Sequence, residues 1–163
     1  MAELSVVLTI LAVITSAVAI RSYAVMRQVQ MKELAAQLAE YERLTRFQAR
    51  QQDRPLRIVV DLSENEIRRT DDCGNDCGEI LKVPHGCKLA RLLVGREDLW
   101  GGRASVSCSR LGLTPTYALR LEQTAGGGQW LIFAGLSGEL IKADDETQVQ
   151  QILEIASRRS DTR

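Results

Sequence analysis

Residues Leu4 to Ile20, LSVVLTILAVITSAVAI, carry no charge, no proline and no glycine, and Arg21 follows at once. No other stretch constrains the chain as strongly, because an uncharged apolar run of this length reads as a membrane-embedded helix. At about 1.5 Å per residue the run lies near the short end of what a hydrocarbon core needs, so Met1, Ala2 and snorkelling of Arg21 have to help span it. A buried helix of a soluble domain is the plainer alternative, and such folds rarely hold an uncharged run of this length. A secretory signal peptide would want basic residues ahead of the run and a small-residue cleavage site behind it. Here Glu3 precedes the run, and RSYAVMRQ continues its helical character.

From Arg21 to Gln52 there is no proline or glycine, and Met26, Val29, Leu34, Leu38, Tyr41, Leu44 and Phe47 recur three to five residues apart. The spacing predicts that the helix continues beyond the membrane as an amphipathic stalk, with Gln28, Lys32, Glu40, Arg43 and Arg50 on its wet side. The apolar stripe drifts from a heptad, so packing on the chain's own C-terminal domain is favoured over a parallel coiled coil. Asp53-Arg54-Pro55 should end the helix, because a proline biases the preceding residue out of the helical region. Charge is uneven along the chain. Lys plus Arg equals Asp plus Glu at 21 each, which gives no electrostatic case for nucleic acid, yet residues 21–57 hold eight basic groups against four acidic ones.

Beyond Pro55 the period changes to that of strands. LRIVVDL (56–62) and ENEIRRT (64–70) read as a hairpin turning at Ser63-Glu64-Asn65, followed by EILKVP (79–84), KLARLLV (88–94), RASVSCS (103–109), TYALRLE (116–122), QWLIFA (129–134) and ELIKA (139–143). Gly101-Gly102, Gly126-Gly127-Gly128 and Ser137-Gly138 supply turns between them. Asp144-Asp145-Glu146 then starts a closing helix with Val149, Ile152, Leu153 and Ala156 on one face, fraying from Arg158. The expected fold class is α+β: a long N-terminal helix packed on a mainly antiparallel β-domain, with a short C-terminal helix. The segments are a transmembrane helix over 1–21, the stalk over 22–54, the β-domain over 55–143 and the final helix and tail over 144–163.

Three segments carry a family resemblance. ELSVVLTILAVITSAVAIRSY, YERLTRFQARQQDRPLRIVVDLSENEIRR and SCSRLGLTPTYALRLEQTAGGGQWLIFAGLSGEL together resemble type IV pilin-like proteins, and among them the H-type minor pseudopilins of type II secretion. The resemblance implies a structural subunit whose first helix packs against those of other pilin-like subunits. It also implies a role for Glu3, in pairing with the N-terminal amine of a neighbouring subunit. The plain reading of Glu3 is a first-turn acid favoured by the helix dipole. The chain departs from the family pattern in having Met-Ala-Glu at its start without a basic leader, no glycine before the helix, and Arg21 close to the place of a helix-kinking proline. Either the true start lies upstream or the protein is not processed. The closing helix has no counterpart in the pattern.

Arg21, Arg27 and Lys32 on the C-terminal side of the run would by themselves keep that side cytoplasmic, whereas the resemblance places it outside. The cysteines favour the outside. Cys73, Cys77, Cys87 and Cys108 form an even set within the β-domain, as disulfides in an oxidising compartment require. The expected location is therefore a single-pass inner-membrane protein with a periplasmic domain. Cys73 with Cys77 and Cys87 with Cys108 is the pairing first expected, out of three possible connectivities. A zinc site of Cys73, Cys77, His85 and Cys87 is the alternative, and Asp71, Asp72, Asn75, Asp76 and Glu79 could hold calcium, although a solvated acidic turn suits that run better.

Catalysis finds little support in the sequence. The single histidine, His85, lies between Pro84 and Gly86 without a nucleophilic serine pattern, and the Gly126 run lacks the Lys-Ser/Thr of a phosphate loop. No catalytic residue, metal or cofactor is expected. Two functions stay open: a pilin-like subunit, partnered by like subunits and the inner membrane, or a stand-alone membrane-tethered binding domain on a helical stalk.

Overall fold

The computed structural model describes the backbone of residues 2–95, 97–124 and 126–160, and the side chains of residues 15, 26, 28–95, 97–124 and 126–156. The order is α1 (Ala2–Gln51), β1 (Leu56–Asp61), β2 (Glu66–Thr70), β3 (Leu81–Lys82), β4 (Cys87–Val94), β5 (Glu97–Leu99), β6 (Arg103–Cys108), β7 (Tyr117–Gln123), β8 (Gly128–Phe133), β9 (Leu140–Ala143) and α2 (Glu146–Ser160). The chain divides into two compact units, Met1–Leu34 and Ala35–Arg163. The second holds every strand, α2 and residues 35–51 of α1, and the following description concerns it.

Two antiparallel sheets form the domain, one of four strands in the order β3-β2-β1-β6 and one of five in the order β5-β4-β7-β8-β9. Alternation in the sequence translates directly into sidedness: Leu56, Ile58 and Val60 of β1 are buried while Arg57 points to water. Leu119 and Leu121 of β7 are buried beside Leu131 of β8, and Tyr117 stacks on its cross-strand partner Phe133 at 4.7 Å. Residues Leu38 and Tyr41 of α1, with Ile58, Val60, Ile67, Tyr117, Leu119 and Phe133 of both sheets, surround an internal space of only about 10 Å³. That is at the lower limit for one water and far too small for an organic ligand.

The hairpin expected between β1 and β2 is present. Asp61 Oδ1 accepts from the amides of Ser63 and Glu64, and Asn65 sits at φ +53° with its Oδ1 accepting from Leu89 N at 2.8 Å. Helix α1 stops differently from expectation. Asp53 adopts φ +46°, Arg54 N donates to Ala49 O and Asp53 N to Arg50 O, which is a Schellman motif with aspartate in the glycine position. Pro55 follows the stop and does not cause it.

Two strand expectations need correction. The strand expected over 79–84 shrinks to Leu81–Lys82: Val83 N still reaches Asn65 O in the same register, and beyond it Pro84 has no amide to donate. Strand β5 was not foreseen. Its three residues, EDL, are too few to show alternation, and it pairs along one edge of β4 only. At the other end Asp145 caps α2 through Thr147 N, and Val149, Ile152 and Leu153 pack on Leu93, Ala118, Trp130 and Ile132 as the periodicity foretold.

Candidate functional site

The sequence assigns no catalytic group, so the places to examine are those where α1 joins the β-domain and where apolar side chains stay uncovered. The helix face that enters the domain is not the one its apolar residues suggest. Leu38, Glu42, Thr45, Arg46 and Ala49 are buried, while Leu44 and Phe47 are 40% and 55% exposed. Met26 and Val29 of the expected stripe are also exposed, whereas Leu34 is buried. The reason is a polar seam. Arg46 Nη2 and Nε both donate to Glu42 Oε1, at 2.7 and 2.9 Å, and Nη2 also reaches Thr114 Oγ1 at 2.7 Å. The same guanidinium donates to Gly135 O and Ala134 O, each at 3.0 Å, which ties the helix to the β8–β9 turn. Each of its three nitrogens has at least one acceptor, the kind of hydrogen bonding that lets an ion pair be buried.

A second arginine fastens the helix to the other sheet. Arg69 of β2 donates to Thr45 Oγ1 at 2.9 Å, Gln48 Oε1 at 2.6 Å and Tyr41 O at 3.3 Å, with its carbon centre 4.7 Å from the Tyr41 ring. The Tyr41 hydroxyl donates onward to Glu79 O. Burial raises the Tyr41 hydroxyl above its usual range and raises that of fully enclosed Tyr117 well above it. Close backbone approach completes the seam: a Cβ at Gly135 would lie 2.2 Å from Thr114 O. The loops 109–116 and 134–139 are thereby held against the Arg46–Arg50 turn, and they carry Leu111, Leu113 and Leu136, which are exposed.

The cysteines do not form one cluster. Cys73 is exposed and Cys77 half-buried in the loop after β2, whereas Cys87 and Cys108 are buried. Cys108 lies opposite Leu56 at one end of β1, while the turn before Cys87 is fastened to Asn65 beyond the other end. At about 3.3 Å per residue that separation is roughly 16 Å along the strand, too far for the Cys87–Cys108 bridge first expected. Cys77 instead packs against the Ala49, Leu56 and Cys108 cluster. Burial raises the Cys87 and Cys108 thiols above their usual value.

Among the described residues no group of three or more His, Cys, Asp or Glu side chains is placed to hold a metal, so neither the zinc set with His85 nor the acidic calcium loop assembles. Asp71 serves as a turn former: its carboxylate accepts from Asn75 N and Asn75 Nδ2, and these bonds hold it below the ordinary carboxylate range. Glu3 and the expected anchor, apart from the exposed Thr15, have their side chains outside those described. Among the described residues no helix is long and apolar enough to cross a membrane.

A continuous helix whose C-terminal turns are sunk into two antiparallel sheets defines the chain as pilin-like in fold. Solved structures bear this out. The minor pseudopilin EpsH from the type 2 secretion system of Vibrio cholerae superposes with a TM-score of 0.55 at 13% identity, covering 72% of this chain and 98% of that one. A second EpsH structure gives 0.52 at 9% identity, over 70% of this chain and 95% of that one. The type IV minor pilin FimU of Pseudomonas aeruginosa gives 0.50 at 11%, over 72% of this chain and 90% of that one. No protein-family model matches the chain, and no curated protein matches it by sequence.

Proposed function

We propose that the protein is a non-enzymatic, pilin-like structural subunit of the minor-pseudopilin kind, anchored by its first helix in the inner membrane with the β-domain in the periplasm. The observation that supports this reading most is the fold that this chain shares with the minor pseudopilin EpsH and the minor pilin FimU. The uncharged run Leu4 to Ile20 on the first helix supplies the membrane segment.

The test is site-directed cross-linking. With Val7→Cys or Leu11→Cys in the full chain, oxidation in membranes should yield cross-links to other pilin-like subunits bearing a cysteine at the matching helix position. A variant that inserts but never cross-links to such subunits would replace this reading with that of a tethered binding domain.

A further inference from the structure

A bare sheet edge presents N–H and C=O groups ready to pair with another chain, and folded proteins blunt such edges by shortness, proline, lysine, bulges or cover. Three edges of this domain are blunted. Strand β3 has two residues and runs into Pro84, and β9 has four and carries Lys142. Strand β5 has three, and the length of β4 that it leaves uncovered holds a bulge between Leu89 and Arg91 and gives Leu89 N to Asn65 Oδ1. Strand β6 is the exception. Its six residues, RASVSC, form the other edge of the four-stranded sheet, pair with β1 in unbroken register and include no proline or lysine.

The ladder fixes which backbone groups of β6 point outward. Continuing the register by one residue sets Leu62 opposite Gly102, and Leu62 N donates to Gly102 O at 2.9 Å, which makes theirs a hydrogen-bonded pair. Such pairs alternate along an antiparallel ladder. Ala104, Val106 and Cys108 therefore bond β1, whereas Arg103, Ser105 and Ser107 turn their N–H and C=O groups away from it. The far side of β1 agrees: Cys77 N donates to Arg69 O, so Arg69 turns away from its partner Ile58 and leaves Ile58 to bond Val106. Among the described residues nothing meets the outward row, and Arg103, Ser105 and Ser107 are exposed. The strand itself is fixed, with Val106 and Cys108 fully buried and Arg103 paired to Asp61 at 2.8 Å. An ordered edge has already lost the freedom that binding would otherwise cost.

The chemistry of that row names its occupant. N–H and C=O groups recurring every second residue, about 7 Å apart, are matched along their whole length only by another extended backbone. The side chains of Ser105 and Ser107 are small and leave room for those of an added strand. We propose that the open edge of β6 docks an extended, proline-free segment of a partner protein, which joins the four-stranded sheet as a fifth strand through the backbone of Arg103, Ser105 and Ser107. A second copy of this chain does not suit the edge. Antiparallel pairing of β6 with itself needs a two-fold axis normal to the sheet, and this points the two copies of the helix lying on it, residues 35–51, in opposite directions. Chains inserted alike in one membrane cannot meet that way. The exclusion of a second copy rests on the anchored reading proposed above; the open edge belongs to the β-domain and does not.

The test is binding of a short, end-capped, labelled peptide of alternating Thr and Val to the full-length chain in uncharged micelles, read by fluorescence anisotropy against empty micelles. In the control peptide two adjacent central residues are N-methylated, so that both of its edges lose a donor. The parent should bind the first peptide and not the second. Ser105→Pro removes an outward N–H and gives up no bond to β1, so it should keep the parent's circular-dichroism spectrum and weaken binding by about ten-fold or more. Ser105→Ala keeps the backbone donor and should bind as the parent does. Amide hydrogen exchange reads the same edge without any variant: Ser105 and Ser107 should exchange fast beside slow Ala104 and Val106, and slow by about ten-fold or more when peptide is added. Equal binding of the two peptides, parent-like binding by a folded Ser105→Pro, no binding by the parent, or protection of Ser105 and Ser107 in the free chain, by its own fold or by self-association, would each overturn the proposal.

Discussion

Arg46 shows why some residues escape a reading of the sequence. At a position surrounded by glutamate, arginine and glutamine it looks like another solvated stalk charge, yet Glu42 and Arg46 keep only 2% and 7% of their side-chain surface in water. Periodicity locates apolar faces and is blind to a buried face built from a hydrogen-bonded ion pair, so Leu44 and Phe47 are expected inside where Glu42 and Thr45 are. Arg46→Ala should destabilise the domain by about 3–5 kcal/mol in denaturant titration, because it leaves the Glu42 carboxylate buried and unpaired. Combining it with Glu42→Leu should recover part of that loss, since the orphaned charge is gone while Gly135 O and Thr114 still lack their donor. Asp61 gives a pH dependence. The amide of Glu64 first, then the Arg103 guanidinium, hold its carboxyl below the ordinary range. Its stabilisation is therefore present above the unfolded-state value of about 3.9 and is lost as pH falls through the lower folded-state value. Acid unfolding of Asp61→Asn should show a smaller pH slope below about 4 than the parent.

Whole elements were far more legible. Strands β1, β2, β4, β6, β7, β8 and β9 and helix α2 lie where alternation and turn residues put them, because each buries one face and the sequence has to record which. Strand β5 and the shortening of β3 were not legible, since their extent is set by neighbours and not by their own pattern. Two left-handed residues that look alike in the backbone make opposite predictions. Asp53 ends α1 at φ +46°, and its side chain makes no hydrogen bond or ion pair among the described residues, so Asp53→Gly should hold stability level or raise it by up to about 1 kcal/mol. Asn65 at φ +53° also supplies the acceptor for Leu89 N, so Asn65→Gly should lower stability despite relieving the same strain. Thermal melts of the two variants side by side distinguish the cap from the hub.

For the whole molecule, the resemblance read from three segments and the likeness to a minor pseudopilin structure agree on the fold, and in this chain Arg46 and Arg69 lock the helix into the β-domain. Such a lock makes residues 35–51 and the sheets one mechanical piece. Cysteine pairing was the least legible global feature, because connectivity depends on which strand ends meet and four cysteines allow three answers. The anchor makes a separate prediction: full-length protein should sediment with membranes and resist carbonate extraction, and material that stays soluble without detergent would contradict it. Glu3 tests the central claim most directly. A helix that leaves the bilayer to pack among like helices takes Glu3 away from water, where it needs a cationic partner, whereas insertion alone is eased by losing the charge. Glu3→Ala in the Val7→Cys background should insert and fold as the parent does yet lose cross-linking to other pilin-like subunits; undiminished cross-linking of the mutant would contradict assembly through a buried, paired Glu3.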